Sequence, residues 1–204
     1  GLDWPAVTSC TVVLLAGPSG SGKSRLARLA GISQLRLDDF YRDGTDPDLP
    51  QVLGIVDWDD VASWDMAAAV GALDRLVSCG RAVTPAYTIS LNRAEGTRVV
   101  ETGGAPAILA EGIFATDMLR PCREAGITVL PIWLDRSRNV NFIRRLDRDL
   151  RQHRKRPAVL VKRGLALREA ETPLRNLAIA EGFQPMTMGQ ARRALMTLQA
   201  GGRR

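Results

Sequence analysis

The feature that most constrains this chain is a glycine-rich segment at residues 17–24, which reads GPSGSGKS. It matches the pattern G-x-x-x-x-G-K-[S/T], a glycine turn that ends in a lysine and a hydroxyl residue. An apolar run, residues 11–16, precedes it, and a segment with helical spacing, residues 24–31, follows it. An accidental glycine-rich turn would not need this order of strand, loop and helix. The segment therefore predicts a loop that binds the phosphates of a nucleoside triphosphate.

The residue types in this loop suit phosphate binding. Glycines reach backbone angles that are closed to residues with a Cβ, so successive N–H groups can turn towards phosphate oxygens. The following helix directs its positive end to the same place. Lys23 supplies a mobile positive charge for the β- and γ-phosphates, and the Ser24 hydroxyl can ligate Mg²⁺. The loop residues predicted to bind ATP are Gly17, Ser19, Gly20, Ser21, Gly22, Lys23 and Ser24.

Length and composition favour a soluble globular protein. The chain has 204 residues, enough for a full central sheet. No apolar run approaches the ~20 residues of a membrane span, and the first residues, GLDWP, lack the basic and apolar regions of a signal peptide. The three cysteines are far apart and lack metal-ligand spacing, which predicts reduced thiols. We therefore expect a cytoplasmic protein without a membrane partner.

Positive charge is concentrated in residues 136–156. The net charge of the chain is +6, and this segment carries nine Lys or Arg against two Asp. A basic segment can bind nucleic acid or form a solvated helix face. In a chain that binds a triphosphate, we favour a helical lid, residues 136–157, whose arginines close over the transferring phosphates. We therefore do not expect a nucleic-acid partner.

Strand-like and helix-like segments alternate along the chain. This order predicts an α/β fold with a doubly wound, mostly parallel sheet flanked by helices. The predicted sheet strands span 11–16, 33–37, 105–114 and 127–134, with a hairpin of 82–89 and 97–101 beside them. The predicted helices span 24–31, 63–78, 117–125, 135–152, 159–171 and 189–200. We expect a long loop over 42–60, a turn over 92–96, and breaks at 172–173 and 182–185.

Acidic residues lie at the ends of two predicted parallel strands. Asp38 follows the strand 33–37, which we place beside the first strand, and Glu111 lies near the end of 105–114. The carboxyl ends of parallel strands meet at one edge of the sheet, here next to the phosphate loop. A carboxylate there can act as a general base or a Mg²⁺ ligand. The alternatives are a polar turn or helix cap at Asp38 and a structural acid at Glu111.

In their order along the chain, the motifs resemble those of the uridine kinases, within the uridine kinase and phosphoribulokinase group. The segments that carry the resemblance are GPSGSGKS at 17–24, LDDFY at 37–41, DWDD at 57–60, SWD at 63–65, PAY at 85–87, EGIF at 111–114 and RRLDRD at 144–149. It implies a single P-loop kinase domain over 1–204, with an acceptor-binding region at about 38–101. It also implies phosphoryl transfer from ATP, with Mg²⁺, to the 5′-hydroxyl of a nucleoside such as uridine or cytidine. Because members of the family often form oligomers, a homo-oligomer is implied as well.

The resemblance assigns roles to individual residues. It makes Asp38 the general base on the 5′-hydroxyl and Asp59 the residue that holds the ribose hydroxyls. Trp58 would lie near the base of the acceptor, or alternatively seal the edge of the domain. The implied catalytic residues are Asp38, Lys23 and Arg148. The implied acceptor-binding residues are Asp38, Tyr41, Trp58, Asp59, Tyr87, Arg93 and Arg145. Ser24 and Glu111 would hold Mg²⁺, and Arg154, or Lys155 in its place, would contact ATP.

The segment that should read the acceptor base departs from the family pattern. The family commonly has an Asp after the Tyr and a His a few residues later, whereas residues 87–93 read YTISLNR. The only histidine of the chain is His153, in the predicted lid. Asn92 or Arg93 would have to read the base instead. Two other functions therefore stay open: a kinase of another small hydroxyl substrate, pantothenate-like or a sugar, and a non-kinase nucleotide-binding ATPase.

Overall fold

The computed structural model describes residues 10–18, 20–135 and 171–202. Its strands are β1 Thr11–Ala16, β2 Gln34–Arg36, β3 Gln51–Val52, β4 Ile55–Val56, β5 Arg81–Thr88, β6 Arg93–Glu101, β7 Ala107–Glu111, β8 Val129–Leu134 and β9 Gln184–Met186. Its helices are α1 Lys23–Ala30, α2 Met66–Cys79, α3 Leu119–Glu124, α4, of which residues 171–181 are described, and α5 Met188–Gly201. Short 3₁₀ turns span Leu37–Phe40, Val61–Ser63, Ile89–Leu91 and Ala115–Met118.

Five strands form a parallel central sheet in the order β2-β7-β1-β8-β9. Its central strand is buried on both faces, as expected for a parallel sheet covered by helices. Val12 and Leu14 of β1 pack into one core, together with Leu73 of α2. Val13 and Leu15 pack into a second core on the opposite face, against α1 and α5. The predicted α/β class with a helix-flanked parallel sheet is confirmed.

The position of β2 differs from the prediction, which placed this strand beside β1. β2 pairs with β7, and β7 lies between β2 and β1. The difference follows from burial. Residues 107–110 of β7 are all fully buried, which suits a strand that has a neighbouring strand on each side. β2 has three residues and ends in the exposed Arg36, which suits the edge of a sheet.

Helix α2 begins later than predicted, at Met66 instead of residue 63. Its cap is Asp65, whose side chain accepts a hydrogen bond from the Ala68 backbone N–H. Gly80 ends the helix in a left-handed conformation. The preceding long loop, 42–60, contains a short hairpin of two strands with two residues each, β3 and β4, which the composition of the loop did not indicate.

The predicted hairpin beside the sheet is confirmed as β5–β6, a separate antiparallel pair. Its turn lies earlier than predicted. The chain reverses through Ile89–Leu91 and Asn92, which has a φ of 51°, and residues 93–96 already belong to β6. Asn tolerates this left-handed conformation better than most residues, which permits a turn at residue 92.

The carboxyl-terminal part contains two corrections. The predicted break at Thr172-Pro173 is wrong, because both residues lie in α4. The predicted break at 182–185 contains β9, the fifth parallel strand, which pairs with β8. β9 is an edge strand, where the missing N–H of Pro185 is tolerated. The terminal helix is confirmed as α5, which begins with a capping box of Thr187 and Gln190.

The predicted lid, 136–157, and the helix over 159–171 lie outside the described residues, apart from residue 171. Where the structure is described, no helix has the length and apolar character needed to cross a membrane.

Candidate active site

The phosphate loop connects β1 to α1. Gly17, Gly20 and Gly22 have φ angles of 150°, 80° and 98°, which favour glycine. The Lys23 Nζ donates to the carbonyl oxygens of Gly17 and Pro18, at 2.9 and 3.2 Å. The ammonium group therefore lies against the loop at the amino end of α1. This combination of glycine conformations, helix terminus and ammonium group fits a triphosphate.

Two serines of the loop lie in different environments. Ser21 is fully buried, and its Oγ has no hydrogen-bond partner among the described residues. Ser24 is exposed in the first turn of α1, where its hydroxyl is open to a metal ion at the phosphates. Ser19, the remaining predicted loop residue, lies outside the described residues.

Asp38 lies on the 3₁₀ turn Leu37–Phe40, directly after β2 and at the carboxyl edge of the sheet. Its Oδ1 is buried without a hydrogen-bond partner among the described residues. Burial raises the pKa of this carboxyl, and the Ile113 backbone N–H and the charges of Arg36 and Lys23 act in the opposite direction. A partly desolvated carboxylate close to the loop lysine has the character of a general base.

Asp39, the next residue, has a different environment. Its side chain is 3% exposed and lies 3.4 Å from the Arg98 Nε on β6. Its Oδ1 also accepts a hydrogen bond of 3.3 Å from the Tyr87 backbone N–H on β5. Asp39 thus attaches the hairpin to the turn, while Asp38 keeps an unpartnered oxygen. The helix-cap alternative for Asp38 does not apply, because no helix begins at this turn and the cap of α2 is Asp65.

An aromatic cluster adjoins Asp38. The Tyr41 ring lies 5.7 Å from Trp58, 5.5 Å from Tyr87 and 5.8 Å from Phe114, measured between centroids. The Tyr41 hydroxyl donates to the Trp58 carbonyl oxygen at 3.2 Å. Burial, followed by the charges of Asp38 and Asp59, raises the pKa of Tyr41. The structure therefore brings five of the seven predicted acceptor-binding residues together: Asp38, Tyr41, Trp58, Asp59 and Tyr87.

The other described site residues are more dispersed. Arg93 is exposed at the start of β6 and pairs with Glu95 at 3.1 Å. Glu111 ends β7, and its Oε1 accepts a hydrogen bond of 2.9 Å from the Gln34 Nε2. Its backbone is in register with Leu15 of β1, so it reaches the edge where the phosphate loop begins. Arg145, Arg148 and Arg154 lie outside the described residues.

A divalent ion would have few protein ligands here. No group of three or more His, Cys, Asp or Glu suited to a metal ion occurs in the described part of the chain. This composition fits Mg²⁺ that is bound largely by phosphates and water, with one hydroxyl and one carboxylate from the protein. Ser24 and Glu111 are the described residues with that chemistry.

A cavity of about 640 Å³ opens beside the loop. Gly17, Pro18 and Gly112 line its inner end, and Trp133 and Leu177 contribute apolar walls. This volume is typical of sites for small molecules. Asp38, Trp58, Asp59 and Tyr87 do not line the cavity, so the aromatic cluster and the cavity are separate features.

Comparisons with known proteins support a P-loop kinase. No protein-family model matches the chain. A curated uridine kinase from Deinococcus deserti is 29% identical over 163 residues, which cover 76% of this chain and 75% of the relative. The resemblance to uridine kinases is confirmed. The relative supports a P-loop kinase, and its alignment is long enough to include most of both chains.

The chain also resembles solved structures. A candidate fructose transport system kinase from Silicibacter sp. TM1040 matches with a TM-score of 0.52 and 17% identity, covering 82% of this chain and 88% of that one. Phosphoribulokinase from Rhodobacter spheroides matches with a TM-score of 0.48 and 11% identity, covering 88% and 70%. At such identities the first match shows the P-loop kinase fold and no more.

Three residues near the site were missed as functional candidates from the sequence. Gly112 touches Asp38, the Trp64 indole bonds to the turn that carries Asp38, and Arg98 pairs with Asp39. The glycine directly after the Glu111 carboxylate was a local signal, because a glycine at a strand end often permits close approach of another segment. The motif resemblance singled out Asp38, but no local signal gives the physical difference between the two adjacent aspartates or points to Arg98, since both depend on the hairpin.

Proposed function

We propose that this protein transfers the γ-phosphoryl group of ATP to a hydroxyl group of a small acceptor, with Asp38 as the general base. The single observation that carries the proposal is the Asp38 carboxylate: it is partly desolvated, has an unpartnered oxygen, and lies within the electrostatic reach of Lys23. A phosphate-binding ATPase that uses water has less need of a buried base beside an aromatic cluster and a cavity.

The catalytic work assigned to the chain is mostly positioning and electrostatics. The loop N–H groups and Lys23 hold the β- and γ-phosphates, and Asp38 accepts the proton as the acceptor oxygen attacks phosphorus and the bond to ADP breaks. Mg²⁺, held by Ser24 and Glu111, would offset the negative charge that moves to the leaving oxygen. Arg148 is proposed to contact the transferring group, Arg145 the acceptor and Arg154 the nucleotide.

A nucleoside, uridine or cytidine, is the acceptor that we propose first. Two things support it: the curated relative is named a uridine kinase, and Tyr41, Trp58 and Tyr87 form an aromatic surface near Asp38. Asp59 influences the Tyr41 hydroxyl and is exposed, so its carboxylate is open to ribose hydroxyls. Arg93 is proposed to contribute at the base, which would require release of its exposed pair with Glu95.

Another small hydroxyl substrate, a sugar or a pantothenate-like molecule, is the second candidate. The exposed carboxylate of Asp59 lies within electrostatic reach of the Tyr41 hydroxyl, and carboxylates accept hydrogen bonds from the several hydroxyls of a sugar.

The test is an acceptor panel with the parent protein and Asp38→Asn. ADP and phosphorylated product are measured with ATP and Mg²⁺ over nucleosides, neutral sugars, pantothenate and no acceptor. We expect uridine- or cytidine-dependent ADP release, and a loss on the order of 10² to 10⁴ in turnover for Asp38→Asn with ATP affinity retained. Asp74→Asn, an exposed acid on α2, is the matched control. Equal ADP release without any acceptor would instead favour an ATPase.

A further inference from the structure

The turn that carries Asp38 is short, spanning only Leu37–Phe40. A single 3₁₀ turn has few hydrogen bonds of its own, so contacts from other segments must determine where its carboxylate lies. Two such contacts act directly on Leu37 and Asp38. One comes from a buried indole and the other from a glycine at the end of β7.

The first contact is made by Trp64, which is 4% exposed. Its Nε1 donates a buried hydrogen bond of 2.6 Å to the carbonyl oxygen of Leu37. This oxygen belongs to the peptide group that joins Leu37 to Asp38, so the bond orients the peptide from which the Asp38 side chain extends. The Trp64 ring also packs against Phe114, with centroids 5.2 Å apart. A phenylalanine would keep the ring packing and lose the donor.

The second contact is made by Gly112, directly after β7. A Cβ built on this residue would lie 2.7 Å from the Leu37 Cβ and 2.8 Å from the Asp38 Oδ1. Ordinary contact begins at 3.4 Å, so the turn lies roughly 0.7 Å closer to the end of β7 than a side chain would permit. The Leu37 Cβ is fixed to the backbone and cannot rotate away. An alanine at 112 would therefore displace the turn.

From these contacts we infer that Trp64 and Gly112 are positioning residues that hold the turn against the end of β7, so that the Asp38 carboxylate meets the acceptor hydroxyl. The inference rests on the proposed function, in which Asp38 is the base. A displacement of about 1 Å can lower turnover about 10²-fold. The phosphate loop follows β1, a different strand, so ATP binding should be spared.

The experiment compares Gly112→Ala and Trp64→Phe with the parent, using ATP, Mg²⁺ and uridine. We expect kcat to fall about 10²-fold for Gly112→Ala and about 10-fold for Trp64→Phe, the equivalent of one lost hydrogen bond. The KM for ATP should stay within about twofold of the parent value, because neither substitution alters the contacts that bind ATP equally in the ground state and the transition state. The matched control is Gly71→Ala, since Gly71 is exposed on α2 and an added Cβ has no atom within 4 Å.

A double variant separates positioning from a general structural effect. If Gly112 acts through Asp38, Asp38→Asn with Gly112→Ala should turn over no more slowly than Asp38→Asn alone. A second 10²-fold loss in the double variant, or parent-like kcat in both single variants, would overturn the inference. If Gly112→Ala does not unfold cooperatively, Trp64→Phe and its double variant with Asp38→Asn decide by the same criteria.

The outcome for the inference is distinguishable from that for the proposed function. If Asp38→Asn turns over as fast as the parent, Asp38 is not the general base. If Asp38→Asn is inactive while Gly112→Ala and Trp64→Phe have normal turnover, Asp38 can still be the base, but Trp64 and Gly112 do not position it. If the parent does not phosphorylate uridine, an NMR titration of the Asp38 carboxyl in the nucleotide-free protein decides. Displacement from β7 would alter both the burial of this carboxyl and its bond to the Ile113 backbone N–H, so its pKa should change in both variants. An unchanged pKa would contradict the inference.

Discussion

Replacement of Asp39 by alanine should destabilise the protein, because Asp39 attaches the β5–β6 hairpin to the turn after β2. The substitution removes the acceptor of the Tyr87 backbone N–H. Leaving such a donor unsatisfied costs about 1–3 kcal/mol. The lost pairing with Arg98, whose side chain is 45% exposed, adds less than about 1 kcal/mol. We expect the free energy of unfolding to fall by about 2–3 kcal/mol.

A loss of this size is measurable in a protein of 204 residues. It corresponds to a decrease in melting temperature of roughly 5–10 °C, at about 2–4 °C per kcal/mol. Urea and thermal unfolding followed by far-UV circular dichroism would report it, and hydrogen exchange at the Tyr87 amide should become faster. The matched control is Glu101→Ala on the same hairpin. Glu101 pairs with Arg81, but both side chains are more than 60% exposed, at 63% and 61%.

The control substitution should change stability by no more than about 0.5 kcal/mol, as is usual at exposed sites. If Asp39→Ala proves as mild as Glu101→Ala, and the Tyr87 amide exchanges at the parent rate, the hairpin does not depend on Asp39. The assignment of Asp39 to the attachment of the hairpin, and of Asp38 to the chemistry, would then be wrong.

Two further predictions concern the core and the pH dependence of stability. Leu73→Ala, at a fully buried position of α2, should lower the free energy of unfolding in urea by about 2–5 kcal/mol. Leu29→Ala, at a position of α1 that is 43% exposed, should lower it by less than about 1 kcal/mol. Equal decreases would contradict the assigned core. Because burial raises the pKa of Asp38, its protonated form is favoured by folding, and this contribution is lost as pH rises through the folded pKa. Asp38→Asn, which resembles the protonated acid, should therefore melt higher than the parent at pH 7, with the difference shrinking towards about pH 4; a pH-independent difference would refute the raised pKa.

The parts of the fold that local sequence patterns specify were predicted well. β1, the phosphate loop and α1 follow from an apolar run, glycines and helical spacing within 20 residues of one another. The buried strand β7 follows from its unbroken apolar run, and the end of α2 follows from Gly80. Each of these features depends on neighbours in the chain, so the physical cause and the signal lie in the same segment.

The missed features depend on partners far along the chain. β9 contains only three residues, one of them a proline, and it is a strand because β8 leaves an edge open to it. β2 lies at the edge because β7, some 75 residues later, takes the place beside β1. The predicted break at 172–173 failed because proline disfavours a helix without excluding one, and Pro173 lies in α4.

The amino-acid sequence by itself determined the chemistry that this protein can offer: a glycine cradle with Lys23 and Ser24, and carboxylates after two strands of a parallel sheet. The resemblance of the motifs assigned the role of base to Asp38, but only the tertiary structure supplied a physical reason why this carboxylate and not its neighbour is free to react. Asp38 and Asp39 are identical in chemistry and adjacent in the chain, but one is engaged by Tyr87 and Arg98 and the other is pressed against Gly112 with an unpartnered oxygen. That distinction arises from the packing of the hairpin and β7 around one short turn, which no local pattern encodes.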